Sequence, residues 1–341
     1  MKAMLLDSIS SLAVNPSPLR WTEIQKPVPV DNEILIKVSA CGVCHTEIDE
    51  IEGRTTPPKL PVVPGHQVVG LVEDSNSYDS FAKPGTRVGV AWIYSSCGKC
   101  SYCITGRENL CPSFLATGRD RNGGYAEYMV AHKDFIYTIP ESLTDEQAAP
   151  LLCAGAVGYR SLRLTGMQNG LILGLSGFGA SGHLVLMTAK YLYPKSPIFV
   201  FARNVEERNF AIELGASWAG DISDIPPEKI DAIIDTTPVW SPVIESLKNL
   251  RPGGRLVINA IRKEDTDRKI FESLSYSTHL WNEKEIKSVA NVTRKDVTDF
   301  LELAAKIPII PEIQTYPLSY ANVALLEIKN KKIKGAKVLK I

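Results

Sequence analysis

The chain has 341 residues, of which 44% are hydrophobic and 22% charged, a composition typical of soluble globular proteins and long enough for two domains. Lys+Arg and Asp+Glu each total 38, so the net charge of zero gives no general attraction to nucleic acid or to an anionic membrane. The longest apolar runs fall far short of the ~20 residues of a membrane span, and residues 1–12 lack the apolar stretch of a signal peptide. We therefore expect a cytoplasmic protein without nucleic-acid or membrane partners.

The first 150 residues or so contain short β-like runs that proline and glycine separate. These runs cover residues 34–38, 68–72, 86–90, 125–131 and 135–139. Short strands at regular spacing with turn residues between them predict an all-β, barrel-like domain.

The pattern changes near residue 145, where helical spacing extends over 145–161. Predicted strands then alternate with predicted helices: strands at 170–175, 198–202, 232–235 and 254–260, and helices at 183–191, 205–214 and 242–250. This alternation predicts a doubly wound parallel sheet of the α/β class. Two further helices, at 295–306 and 320–330, and a strand at 336–341 complete the chain.

Four of the seven cysteines lie close together, at Cys97, Cys100, Cys103 and Cys111. The odd total, in a chain expected in the cytoplasm, argues against a disulfide framework. Four thiolates form a closed tetrahedron around zinc and leave no position for substrate, so the spacing predicts a structural zinc site. An iron–sulfur cluster also uses four thiolates, and the spacing alone leaves that alternative open.

A second set of possible metal ligands consists of Cys41, Cys44, His66 and Cys153. A catalytic zinc needs three protein ligands and one exchangeable position, so this set contains one candidate more than the three that such a site requires. The alternative interpretation makes Cys153 a small buried apolar residue and His66 a hydrogen-bonded turn residue.

The segment 177–182 reads GFGASG, follows a predicted strand and precedes a predicted helix. In that context Gly177, Gly179, Ala180 and Gly182 predict a dinucleotide-binding turn, in which small residues allow close approach of a pyrophosphate to a helix N-terminus.

The residues that follow the next strand bear on the choice of cofactor. An acidic residue ~20 residues beyond the glycines would favour NAD. This chain has Ala202, Arg203 and Asn204 there instead. A guanidinium suits a 2′-phosphate, so we expect NADP(H) to be preferred, with NAD(H) as the alternative.

Five motifs, taken together and in order, resemble the zinc-containing medium-chain alcohol dehydrogenases, in particular the microbial branch related to cinnamyl alcohol dehydrogenase. The motifs are GVCHT (42–46), PGH (64–66), the four-cysteine loop, GGYAE (123–127) and PLLCAG (150–155). The resemblance covers essentially the whole chain. It implies a GroES-like β-barrel catalytic domain over 1–153, a Rossmann domain over 154–291 and a segment 292–341 that returns to the catalytic domain.

The same resemblance implies an activity. The protein is expected to transfer a hydride between a primary alcohol or aldehyde and NADP(H), with two Zn²⁺ per chain, and to assemble as a dimer or tetramer. In this family the ligand cysteine directly precedes a basic and a hydroxyl residue. The resemblance therefore selects Cys44, with His66 and Cys153, and makes Cys41 a packed neighbour.

The resemblance also assigns roles to the segment after Cys44. His45 corresponds to a position near the cofactor pyrophosphate, and Thr46 to the hydroxyl that takes the alcohol proton. Glu47 corresponds to a carboxylate that supports the ligand histidine. Asp49 stands where many members have the histidine that ends the proton relay.

Other positions are departures or weaker assignments. Gln67 stands where the family has a carboxylate that is proposed to assist ligand exchange at the metal, and an amide cannot supply that charge. Trp92 and Trp281 are candidates for the lining of the substrate pocket.

Three rival functions remain. Zinc-free quinone reductases of the same superfamily would lack the three ligands that this chain retains. Polyol dehydrogenases commonly have Glu as the third ligand, where this chain has Cys153. A non-catalytic zinc protein that senses NADP(H) is the third alternative. The departures that keep it open are Gln67, Asp49 and Val157, the last of which stands where the family frequently has Thr near the nicotinamide.

Overall fold

The computed structural model describes residues 1–75, 82–307, 309–330 and 335–341. In chain order the strands are β1 (Lys2–Leu6), β2 (Leu19–Glu23), β3 (Glu33–Val43), β4 (Val68–Ser75), β5 (Arg87–Val90), β6 (Ile93–Ser95), β7 (Leu115–Ala116), β8 (Tyr128–His132), β9 (Ile136–Thr138), β10 (Leu173–Ser176), β11 (Ile198–Phe201), β12 (Trp218–Gly220), β13 (Ile230–Asp235), β14 (Leu250–Ile258), β15 (Glu285–Ser288), β16 (Ile313–Pro317) and β17 (Ala336–Lys340). The helices are α1 (His45–Ile51), α2 (Ser101–Ile104), α3 (Asp145–Ala148), α4 (Ala154–Thr165), α5 (Ala180–Leu192), α6 (Val205–Glu213), α7 (Ser241–Asn249), α8 (Arg294–Lys306) and α9 (Ala321–Lys329).

The chain forms two units. Unit 1 contains Met1–Ala156 and Val292–Ile341, and unit 2 contains Val157–Asn291. No helix in the described part of the chain is both long and apolar enough to cross a membrane.

Unit 1 is organised around the long strand β3. Its antiparallel partner along one edge is β4, while β8 and β17 pair with successive parts of the other edge. The sheet continues from β4 through β5 to β9, and β16 joins β17 in parallel. Inward-facing side chains of β3 and β4, such as Ile34, Ile36 and Val72, belong to one large hydrophobic core. This packing fixes the end of β3, from which the chain passes directly into α1.

Unit 2 is a six-stranded parallel sheet in the order β12-β11-β10-β13-β14-β15. Adjacent residues of β13 face opposite layers. Ile234 packs in a core with Val185 of α5, and Ile233 packs in another core with Leu247 of α7. Helices therefore cover both faces, and the strand order reverses between β10 and β13, as in a doubly wound dinucleotide-binding sheet. The predicted α/β architecture is confirmed.

The helical segment predicted over 145–161 is interrupted. α3 ends at Ala148, a 3₁₀ turn spans Ala149–Leu152, and α4 begins at Ala154. Pro150 lies in this turn, and proline removes a backbone donor that a continuous helix would need. The break leaves Cys153 at the junction between the turn and α4.

Sequence patterns did not predict β15 or β12. All four residues of β15 are exposed, and its sequence EIKS has no apolar run. An exposed edge strand needs no buried face, so the apolar pattern that identifies the inner strands is absent there.

Candidate functional site

The four-cysteine loop brings its sulfur atoms together. The Sγ atoms of Cys97 and Cys111 are 3.5 Å apart, those of Cys100 and Cys103 are 3.5 Å apart, and those of Cys97 and Cys103 are 3.9 Å apart. A tetrahedron with Zn–S bonds of ~2.3 Å has S···S edges of about 3.8 Å. The four thiols therefore match the donor set and the dimensions of a closed zinc site.

The conformation of the loop also favours thiolates. Cys103 lies in the short helix α2, and Cys103 and Cys111 are buried. The backbone N–H groups of Lys99 and Cys100 donate to the Cys97 sulfur and lower its pKa to about 6. Backbone donors that stabilise a thiolate prepare the site for a cation before any metal binds.

A second donor cluster forms from Cys44, His66 and Cys153. Their ligand atoms all lie within 4.8 Å of one another, and His66 Nε2 is 3.3 Å from Cys153 Sγ. The three residues come from separate places: the start of α1, the loop before β4 and the junction before α4. Two thiolates and one imidazole suit zinc, and three protein donors leave one position for an exchangeable ligand.

Glu47 holds the imidazole of this cluster. Its Oε1 lies 2.6 Å from His66 Nδ1, and both side chains are almost completely buried. Its Oε2 accepts a hydrogen bond from the backbone N–H of Cys44 at 2.8 Å, which also caps α1. The carboxylate therefore occupies Nδ1 and leaves Nε2 directed to the metal position.

The electrostatic environment of the cluster favours a thiolate at Cys44. A hydrogen bond from Cys153 and the proximity of His66 lower the pKa of Cys44 well below its ordinary value, and together they outweigh burial. Burial by itself would lower the pKa of His66, but the charges of Glu47 and Cys44 raise it well above its usual range. The Thr46 hydroxyl lies 3.6 Å from Cys44 Sγ, immediately beside the donor cluster.

Cys41 is outside the cluster. It is fully buried in the core of unit 1, and its thiol points to the carbonyl of Gly42. Gly65, with a φ of +99°, lies against Cys41 and Tyr125, and a Cβ there would come within 2.4 Å of the tyrosine ring. Only glycine fits this turn, which delivers His66 to the donor cluster.

The other residues predicted in unit 1 have varied surroundings. His45 is exposed at the first position of α1. Asp49 is buried, and its Oδ1 accepts from Arg54 Nε at 2.6 Å. Gln67 is buried with its side chain packed against Gly42. Glu50 is buried one helical turn after Glu47. No motif indicated this residue, although its spacing of three residues from Glu47 predicts the same helix face.

The dinucleotide motif occupies the turn between β10 and α5 in unit 2. Gly177 has a φ of +87°, and a Cβ there would meet the Thr236 side chain at 2.6 Å. A Cβ at Gly182 would lie 2.7 Å from the Gly177 carbonyl, whereas one at Gly179 would meet no atom within 4 Å. Gly179 is the N-cap of α5 and no side chain caps this helix, so backbone N–H groups are available to a phosphate.

Two arginines accompany the end of β11. The Arg203 side chain is exposed, and none of the ion pairs among the described residues includes it. Asn204 caps α6 and donates to Glu207 at 3.3 Å. Arg208 donates to the carbonyls of Ala202 and Arg203 and thereby holds this turn. No motif indicated Arg208, but its position in the first turn of the predicted helix would allow its side chain to reach back to the preceding loop.

The two candidate tryptophans differ in exposure. Trp92 is buried in unit 1, packs 5.2 Å from the Phe114 ring centroid and has an indole N–H without a partner among the described residues. Trp281 of unit 2 is 55% exposed, and its ring centroid lies 5.7 Å from that of Tyr276 at an interplanar angle of 58°. Both assignments to a substrate pocket stay predictions.

Comparisons with known proteins agree with this fold. Residues 30–141 match the family model described as the alcohol dehydrogenase GroES-like domain. The Mycobacterium tuberculosis protein named "Probable alcohol dehydrogenase AdhA" is 39% identical over 96% of this chain and 94% of its own length. An alcohol dehydrogenase of Geobacillus stearothermophilus is 33% identical over 95% and 96%.

A solved structure shows the same similarity in three dimensions. A cinnamyl alcohol dehydrogenase from Sorghum bicolor superimposes with a TM-score of 0.84 at 26% identity and covers 99% of this chain and 97% of its own. The class that the fold and the donor sets define is therefore that of two-domain zinc oxidoreductases with a nicotinamide cofactor. The chain belongs to the zinc-containing medium-chain alcohol dehydrogenase family.

Proposed function

We propose that this alcohol dehydrogenase interconverts primary alcohols and aldehydes with NADP(H), and that it holds one catalytic and one structural zinc per chain. The observation that carries the proposal is the buried cluster of Cys44, His66 and Cys153, a three-donor set that suits a zinc with one exchangeable position. The cysteine at the third position also favours alcohol over polyol dehydrogenation. The four-cysteine loop has no open position and serves the scaffold.

The chemistry divides between the metal, the cofactor and the chain. Cys44, His66 and Cys153 would hold a zinc that would lower the pKa of an alcohol or polarise an aldehyde carbonyl, and a bound nicotinamide would supply or accept the hydride. We assign to Thr46, whose hydroxyl lies 3.6 Å from Cys44 Sγ, the role of accepting the alcohol proton. Glu47 keeps His66 in the orientation in which Nε2 is the donor atom.

The residues on either side of Thr46 are assigned to the cofactor and to the loop after α1. The exposed side chain of His45 is available to a pyrophosphate. Arg54 forms an ion pair with Asp49, so we assign to Asp49 chiefly the role of fixing the loop that follows α1. The relay beyond Thr46 would then end in the cofactor ribose or in solvent.

Metal analysis and turnover test this proposal. We expect about two zinc ions per chain and turnover of members of a panel of primary alcohols and aldehydes. One zinc per chain together with no turnover would overturn the catalytic assignment and favour a non-catalytic zinc protein.

The preference for NADP(H) rests on Arg203, an exposed guanidinium at the end of β11 where NAD-binding sites carry a carboxylate. We expect Arg203→Ala to raise the KM for NADP by roughly 10-fold or more, because it removes a charge-assisted hydrogen bond, and to leave the KM for NAD nearly unchanged. Arg268→Ala, at a highly exposed arginine elsewhere in unit 2, is the control. Equal losses with both cofactors would contradict the assignment.

We further propose a homo-oligomer in a reducing, cytoplasmic compartment. In the part of the chain that the structure describes, no strand pairs with the outer edge of β15, and Tyr276, Trp281 and Ile286 nearby are exposed. Unpaired edges and exposed apolar side chains favour association. Light scattering of the purified protein distinguishes a dimer or tetramer from a monomer.

The proposal of a reducing compartment rests on the cysteines, because reducing conditions keep their thiols available to zinc.

A further inference from the structure

Glu50 is a buried acid for which packing alone gives no reason. It lies in the last turn of α1 with only 1% of its surface exposed, and neither carboxylate oxygen has a hydrogen-bond partner among the described residues. Other acids of this segment do have partners: Glu47 contacts His66, Asp49 pairs with Arg54, and Glu52 pairs with Arg54 and Lys329. An unpaired buried carboxylate destabilises a fold, so the presence of Glu50 indicates a cation whose charge it compensates.

The helix directs Glu50 towards the three-donor centre. Residues three apart lie on the same face of a helix, and Glu47, three residues earlier, contacts His66. The charged groups that act on Glu50 are accordingly Glu47, His66, Arg119 and Cys44. Burial raises the pKa of Glu50 well above its ordinary value and repulsion by Glu47 raises it further, while His66 and Arg119 act in the opposite direction.

Among the described residues, no cationic side chain forms an ion pair or a hydrogen bond with Glu50. Arg119, an arginine whose charge acts on Glu50, pairs with Asp120 at 2.8 Å and lies over the ring of Trp92. Gln67, which follows His66 directly, carries no charge, and its side chain packs on Gly42. The donor cluster therefore has a neutral side chain beside His66 and an unpaired carboxylate on the α1 side.

We propose that Glu50 is the acidic positioning residue of the three-donor metal centre, where its carboxylate supplies from α1 the negative charge that Gln67 cannot supply beside His66. The inference rests on the proposed function, because it requires a divalent cation at Cys44, His66 and Cys153. Glu50 is not part of the set of atoms within 4.8 Å that those three residues form, so it acts through its charge and not as a fourth ligand.

This role gives opposite effects in the metal-free and metal-loaded protein. Without metal the buried carboxylate is uncompensated, so Glu50→Gln should leave the metal-free protein as stable as before or more stable. With zinc bound, the same change removes an attraction, so zinc should leave the centre more readily. A glutamate that served packing alone would change both forms in the same direction.

The test follows zinc release from the full-length, zinc-loaded protein to an excess of a chromogenic chelator. Cys153→Ala identifies the kinetic phase that belongs to the three-donor centre, because it removes one ligand there and none in the four-cysteine loop. We expect Glu50→Gln to accelerate that phase by about 10-fold or more. Glu52→Gln is the control, because Glu52 lies two residues after Glu50 and has the cationic partners Arg54 and Lys329. This variant should release zinc from the three-donor centre at the wild-type rate.

A rescue variant and a stability measurement complete the test. The double variant Glu50→Gln/Gln67→Glu should regain slow release, because it returns one negative charge to the centre from the other side. Thermal unfolding of the metal-free Glu50→Gln protein should show no loss of Tm. Wild-type release from Glu50→Gln, or an equal loss of stability with and without zinc, would overturn the inference. A wild-type protein without any phase that Cys153→Ala abolishes would overturn the proposed function, and this inference with it.

Discussion

The two donor clusters of unit 1 are built in different ways. The four-cysteine loop takes all its ligands from residues 97–111, offers sulfur alone and lies partly exposed. The three-donor cluster takes its donors from three distant segments and mixes sulfur with nitrogen, and the buried acid Glu47 contacts its imidazole. The four donors of the first cluster come from one loop. The three donors of the second come together only because the core of unit 1 holds their segments in place, and we propose that this cluster is the open, catalytic one.

This difference predicts that loss of one ligand affects activity at one centre and stability at the other. Cys153→Ala should reduce turnover by at least ~10³-fold, because the stabilisation that a metal gives to a developing alkoxide is worth several kcal/mol. Steady-state kinetics with an alcohol and an aldehyde measure the effect. Cys41→Ala is the matched control, since Cys41 is a buried cysteine outside the cluster and its variant should keep most of the activity. Similar losses in the two variants would contradict the assignment.

A change at Glu47 should alter the zinc affinity of the three-donor cluster and not that of the four-cysteine loop. Glu47→Gln should weaken zinc binding at the three-donor centre by roughly 10- to 100-fold, because the amide holds His66 Nδ1 less firmly than the carboxylate does. The amide oxygen can still accept from the Cys44 N–H, so the start of α1 should persist. Competition with a chelator measures both sites, and the affinity of the four-cysteine loop should not change. A loss at both sites would indicate general unfolding.

At the four-cysteine loop the expected effect is on stability. Cys100→Ala should release one zinc per chain and lower the Tm by roughly 5–10 °C, because the loop loses its metal while the core of unit 1 remains. Turnover of the folded fraction should be nearly unchanged. Ser101→Ala, at the neighbouring exposed position, should alter neither the Tm nor the metal content. A variant that kept its full Tm would show that the loop needs no metal.

The smallest effect concerns thiol chemistry in the metal-free protein. The folded pKa of Cys97 is about 6, below that of an ordinary thiol, so its thiolate persists above this pH and is lost as the pH falls through it. Alkylation of Cys97, followed by mass spectrometry, should therefore have its midpoint near pH 6. In denaturant the backbone donors are gone and the midpoint should rise to about 8.5. Equal midpoints in both states would contradict the preorganisation of the loop.

Much of unit 2 could be predicted from the sequence, because its buried strands and its glycine turn are each encoded by a short, continuous stretch of residues. Buried strands such as β10 and β11 are continuous apolar runs, and the glycines between β10 and α5 mark their own turn. The exposed strand β15 could not be predicted, since its pairing with β14 leaves no apolar pattern. The interruption at Pro150 was visible in the sequence, but its consequence for Cys153 depended on the packing of the turn.

The sequence by itself determined the four-cysteine loop and the dinucleotide turn, because ligands or glycines a few residues apart are held at fixed distances by the backbone alone. The tertiary structure brought Cys44, His66 and Cys153 within 4.8 Å of one another and left Cys41 in the core. Cys41 and Cys44 are three residues apart, and they separate because the chain turns from β3 into α1 between them. Glu47 contacts His66, and the three-residue spacing of Glu47 and Glu50 predicts that both lie on the same face of α1. The sequence gives that spacing, but only the packing of α1 decides that this face is turned to His66.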